Sequence, residues 1–239
     1  MRGSKASAAR KVAFPILISA CMCGIAAAPA DTAKRAPVDT AKRAPADTAH
    51  KGPAPQSGQV MYMAALQKIP GAPISDSTSG KATMTMNKNN LMIKVNAAGL
   101  APGKHEMHIH ARKDMHGSTC PQMSVDINKD GIIDGKEGDS LAGSIHIPLT
   151  ENPLDTASET YPSADPKGNL TYSKTIAFDK LESSLRSRFG LSRLAIDSCV
   201  IEIHGIAPST NLPASVQSEK NKPAQQTIPV LCGKIMKHK

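Results

Sequence analysis

From about residue 58 to its C terminus the chain is cut into short runs in which apolar and polar residues alternate: 59–66, 80–86, 91–95, 105–110, 170–178 and 198–204. A period of two puts successive side chains on opposite faces of an extended strand, one facing a core and the other facing water. Turn-forming clusters separate the runs, as at Asn87-Lys88-Asn89-Asn90, Ala101-Pro102-Gly103 and Asp165-Pro166-Lys167-Gly168-Asn169. One short helix or turn is indicated after Asp179, where Leu181, Leu185 and Phe189 recur every four residues. Short strands joined by long polar connections predict an all-β domain over 58–239, an antiparallel barrel or sandwich.

The first fifty-seven residues have a different character. Residues 2–11 carry Arg2, Lys5, Arg10 and Lys11 and no acid, and the apolar run 12–20 that follows is too short to span a bilayer. This reads as a secretory signal segment, 1–20. Ile18-Ser19-Ala20-Cys21 resembles a bacterial lipobox, in which Cys21 is lipidated and becomes the mature N terminus; Ala28-Pro29-Ala30 offers an ordinary cleavage site instead. Both predict export to the periplasm or cell envelope, and the first predicts a membrane anchor. Within 21–57 an octapeptide beginning Asp31-Thr32-Ala33 repeats at Asp39 and, decayed, at Asp47, with a proline in each copy. It has almost nothing to bury and reads as an extended tether.

These segments account for most of the net charge of +9. Four of the surplus positive charges lie in the signal segment and a net two in the tether, which leaves +3 on the domain. Aromatic residues are 3% of the chain and Trp is absent, so stacking platforms for single-stranded nucleic acid are lacking. No nucleic-acid partner is expected.

The domain's chemistry lies in its histidines. His108 and His110 are two residues apart and so share a strand face, which makes a half-site for Cu, Zn or Ni. A third, His204, ends the alternating run Val200-Ile201-Glu202-Ile203-His204. A His-x-His pair alone also describes surface or hydrogen-bonding histidines.

The segment 99–110, Gly-Leu-Ala-Pro-Gly-Lys-His-Glu-Met-His-Ile-His, resembles the copper-binding strand of the copper/zinc superoxide dismutases. Residues 200–205 are similar to that family's later strand ending in a copper-ligating histidine. Residues 229–235 are similar to its C-terminal strand, and 165–172 to one of its turn-and-strand units. The resemblance, over about 60–235, implies an eight-stranded Greek-key β-barrel with long loops. It implies His108, His110 and His204 as catalytic copper ligands and His105 as a hydrogen-bonding support of the site. It also implies a disulfide between Cys120 and Cys232, and superoxide as substrate.

Several positions depart from that pattern. Asp126 stands where the copper–zinc bridging histidine would fall, and only His146 lies between His116 and His204, so no conventional zinc site can be assembled. His146 is a candidate for a displaced fourth copper ligand, with a surface histidine as the alternative. Pro229 replaces the family's substrate-guiding arginine, and Glu106-Met107 replaces a glycine-aromatic pair. In the 208–227 connection Lys220 and Lys222 could steer an anion.

Where the family has its zinc loop, 126–137 matches the twelve-residue EF-hand pattern. Asp126, Asn128, Asp130, Asp134 and Glu137 offer side-chain oxygens, Ile132 its carbonyl, and Gly131 the turn. The match predicts structural calcium; an Asx-rich turn is the alternative. Flanking helices look poor, because Pro121 and Gly138 crowd the loop. Cys199 should pack as a small apolar residue. The methionines Met84, Met86, Met107, Met115 and Met123 read as core filler, with Cu(I) thioether ligation the alternative. The sequence thus predicts an exported, lipid-anchored, copper-binding superoxide dismutase-like protein with a calcium loop. The rival is a non-enzymatic calcium- and copper-binding envelope protein.

Overall fold

A computed structural model of the chain describes residues 58–114, 117–219 and 221–239. The signal segment, Cys21 and the tether lie outside the described residues, as do Met115, His116 and Lys220.

The alternating runs form antiparallel strands: β1 Val60–Lys68, β2 Ser79–Met86, β3 Asn90–Ala98, β4 Gly103–Lys104, β5 Met107–Ala111, β6 Ser144–Pro148, β7 Ser163–Ala164, β8 Leu170–Ala177, β9 Val200–His204, β10 Pro229–Lys234 and β11 Met236–Lys237. Three helices join them, α1 Gly135–Ala142, α2 Phe178–Phe189 and α3 Ala224–Thr227. The main sheet runs β6-β5-β9-β10-β1-β2-β3-β8, with β11 added to β1; β4 and β7 pair separately. The pairings β5–β9, β3–β8 and β1–β10 join strands distant in sequence, which is the Greek-key pattern of crossing connections. The fold is all-β, as the alternation predicts.

Two halves of this sheet differ in burial, and the difference positions the site. In β3, Leu91, Ile93, Val95 and Ala97 are buried while the residues between them are not. In β5 and β9 every residue is buried. Met107, Ile109, Ile201 and Ile203 belong to the hydrophobic core. Residues 108, 110, 202 and 204 take the other face, and the three histidines among them meet the long connections between strands at Tyr161, Gly143 and Thr227. Polar residues on that face are therefore dry. Met84 and Met107 are fully buried core filler, whereas Met123 is 41% exposed.

The sheet is an open barrel, its path ending at β6 and β8 without pairing them. The free edge beside β6 is covered by α2, whose Arg188 donates to the carbonyls of Ile145 and His146 at 3.1 and 3.0 Å. Helix α2 buries Leu181 and Leu185, the spacing that predicts it. Cys120 and Cys232 are disulfide-bonded, tying the connection after β5 to β10. Cys199 is free and buried, and burial pushes its thiol up to about 12.

Candidate metal centre

Strand register brings three histidines from two strands into one cluster: His108 and His110 lie on β5, and β9, paired antiparallel beside it, ends in His204.

 Ligand nitrogens of these three rings lie within 4.8 Å of one another, and all three residues are buried. Among the described residues no separate group of three or more His, Cys, Asp or Glu side chains lies away from these three.

Each ring is held from behind. His110 Nδ1 is 2.9 Å from the Gly143 carbonyl, and His204 Nδ1 is 2.9 Å from the Thr227 carbonyl. A carbonyl can only accept, so each Nδ1 carries the proton and each Nε2 presents a lone pair. His108 Nε2 lies 2.8 Å from the Tyr161 hydroxyl, and its Nδ1 is 3.3 Å from His204 Nε2. When His108 donates Nε2–H to Tyr161, its Nδ1 is bare and completes the trio. Gly143 matters for this arrangement: its φ is +88°, and a Cβ there would sit 2.4 Å from the Ala111 carbonyl oxygen. His105 spans the carbonyls of Ala101 and His204, at 2.7 and 2.8 Å, and so braces the trio without joining it.

The site favours neutral rings. Burial, then the neighbouring His204 and His110, hold His108 well below the usual histidine range. Burial lowers His110, and burial followed by the proximity of His110 lowers His204 to about 3. Neutral imidazole is the form that binds a metal, and His110 Nε2 is buried with no hydrogen-bond partner. Three convergent neutral imidazoles, one of them with an orphaned nitrogen, fit a copper ion or another imidazole-binding divalent metal.

His146 stands outside the trio. Ile147 pairs with Ile109 and Ile145 with His110, so a bulge leaves His146 as the extra residue of β6. Without the bulge it would face His110 directly. Its ring instead stacks on Phe189 at 4.0 Å, and its Nδ1 meets the Ser144 carbonyl. The candidate fourth ligand thus lies outside the trio, where one inserted residue puts it.

Two acids that the sequence reading did not assign lie beside the trio. Glu202 is on β9 directly opposite His108, and burial raises its carboxyl to about 8. Its signal was the period of two that sets it on the face of His204. Glu106 accepts from Lys222 and Gln226, at 3.0 and 2.7 Å. Lys222 also meets Glu159 at 3.2 Å, so this lysine is paired and does not stand free to steer an anion. Tyr161 and the two carbonyls behind the rings left no sequence signal, being tertiary contacts.

The loop 126–137 is folded by its own side-chain oxygens. Asp126 accepts from the N–H groups of Asp130 and Gly131, Asn128 from Asp130, and Asp130 from Ile132. Glu137 accepts from the N–H groups of Ile127 and Asp134. Ser215 and Gln217 brace the loop through Asp130 and Asp134. The expectation of poor flanking helices holds for the entry side, which is a single turn of 3-10 helix, Met123–Val125. It fails on the exit side. Asp134 caps α1, and Asp134 with Glu137 forms a capping box, which offsets the cost of about 1 kcal/mol for Gly138 inside a helix.

No protein-family model and no curated protein matches the chain. Among solved structures, a Cu/Zn superoxide dismutase from Brucella abortus is similar at 20% identity, covering 73% of this chain and 98% of its own, with a TM-score of 0.38. The clock protein EA4 is similar at 13% identity, covering 77% of this chain and 98% of its own, with a TM-score of 0.36.

Proposed function

We propose that the domain binds copper through His108 Nδ1, His110 Nε2 and His204 Nε2, and that the loaded protein disproportionates superoxide. The observation that carries this reading is the convergence of three neutral imidazoles whose other nitrogens are each held by a protein oxygen. Copper there would supply one-electron exchange, oxidising one superoxide to oxygen and reducing a second, with two protons, to hydrogen peroxide. The chain's own part is to keep the rings oriented, through Gly143, Thr227 and Tyr161, and to keep them neutral by burial that excludes water from their faces.

Access limits the rate. The three histidines are only 3, 2 and 5% exposed, Lys222 is paired with two glutamates, and Pro229 stands where the resembled family guides its anion with arginine. Electrostatic steering is worth about 10- to 1,000-fold in association rate. Copper-loaded protein is therefore expected to dismutate superoxide at least about 100-fold below the ceiling of roughly 10⁹ M⁻¹s⁻¹. Stopped-flow decay of superoxide checks this, with copper-treated His110→Ala showing no catalysed decay. The second reading, a non-enzymatic copper-binding envelope protein, is favoured by the same closure. It requires copper uptake with no catalysed decay in the wild type.

The proposal extends to calcium in 126–137 and to export with a lipid on Cys21. Support for calcium is the twelve-position pattern; support for export and anchoring is the sequence of residues 1–21. Calorimetry on the purified chain is expected to show heat with millimolar calcium, reduced at least tenfold in affinity by Glu137→Gln, about the effect of disturbing a metal site. No heat in the wild type would remove calcium from the account.

A further inference from the structure

Strand β9 places a second metal-binding group on the face of His204. Glu202 lies two residues before it, and the antiparallel register sets Glu202 opposite His108 on β5 and opposite Cys232 on β10. Its side chain is 3% exposed. Glu202 Oε2 lies 3.6 Å from His204 Nε2 and 3.7 Å from His110 Nε2. Those separations are too long for hydrogen bonds. Donor atoms about 2.0–2.2 Å from one tetrahedral ion would stand roughly 3.3–3.6 Å apart. His108 Nδ1 and His204 Nε2 show the same spacing, 3.3 Å, and Glu202, outside the 4.8 Å set of the three rings, borders that set from the side of His110 and His204.

The unpartnered atoms point to the same place. Glu202 Oε1 and His110 Nε2 are both buried without a hydrogen-bond partner. Buried polar atoms are nearly always paired, and here one oxygen of the carboxylate is orphaned while the other, Oε2, is the one 3.7 Å from the orphaned imidazole nitrogen, so both side chains call for a partner. A cation between the carboxylate and His110 Nε2 would give both side chains one.

We propose that Glu202 is the fourth ligand of the centre, giving three histidines and one carboxylate around a divalent first-row cation. This rests on the trio being a metal centre. An anionic oxygen donor favours Cu(II) over the softer Cu(I), which thiolate and thioether ligands suit better. The centre is then biased toward its oxidised state, and Glu202 sets the bias.

The test compares the full chain with Glu202→Gln, which keeps the shape of the side chain and removes its charge. Competition titrations measure affinity for Cu(II) and for Cu(I), and Cu(II) electron paramagnetic resonance reports the donor atoms. The wild type is expected to show three nitrogens and one oxygen. Glu202→Gln is expected to bind Cu(II) at least about tenfold more weakly, the low end for disturbing a metal site. Its Cu(I) affinity should change less, so the copper midpoint potential rises by about 59 mV for each tenfold difference. Equal Cu(II) affinity and a superimposable spectrum in the variant would overturn the assignment while leaving the trio intact. A wild-type spectrum with four nitrogens would also overturn it, and needs no variant to fold. A wild type that takes up no copper overturns the centre and this ligand together.

Discussion

Replacing His204 by alanine is expected to abolish stoichiometric copper binding, with affinity falling by at least about 100-fold. Losing a supporting group alone costs about 10- to 100-fold in metal sites, and a ligand costs more. His204 is the junction of the centre: its Nε2 is 3.3 Å from His108 Nδ1 and 3.6 Å from Glu202, while its backbone carbonyl holds His105. The matching control is His146→Ala. That ring packs on Phe189 outside the trio, so copper affinity should be unchanged. Competition titration with a copper chelator measures both. Loss of binding in His146→Ala with retention in His204→Ala would reverse the assignment.

The second large effect is on stability. Reducing the Cys120–Cys232 bond, or replacing Cys232 by serine, is expected to lower the unfolding free energy by about 2–5 kcal/mol. The bond closes a sequence separation of 112 residues, so it removes much conformational freedom from the unfolded chain. For a domain of this size the melting temperature should fall by about 10 °C. Circular dichroism melts with and without reductant read this directly, and identical melts would contradict it. The effect reaches the metal centre, because Cys232 is the cross-strand partner of Glu202 and Cys120 anchors the connection that carries Gly143.

Much of the fold was legible because its strands have one wet face or a plainly apolar one. β1, β2, β3 and β8 follow the alternating runs closely, and α2 follows its four-residue spacing. β6 was missed: Ser-Ile-His-Ile-Pro is five residues long, ends in proline and is kept in place by neighbours that no local pattern encodes. Its bulge also displaced His146, since a single extra residue changes which side chain faces the partner strand. The three-histidine cluster was legible from spacing and resemblance. Glu202 was equally visible, as a lone acid on the face of His204, but an acid within an alternating strand ordinarily signals solvent. Only the connections covering that face make it dry. The same tertiary cover pairs Lys222 with Glu106 and Glu159 and hides the carbonyls that orient the rings.

The central claim is that three histidines from β5 and β9 form one copper centre. X-ray absorption at the copper edge, on the disulfide-bonded full chain loaded with equimolar copper, tests it most directly. The account predicts uptake of a single tight equivalent with three imidazoles in its scattering. A chain that retains no tight copper, or copper with fewer than three imidazoles, would contradict it.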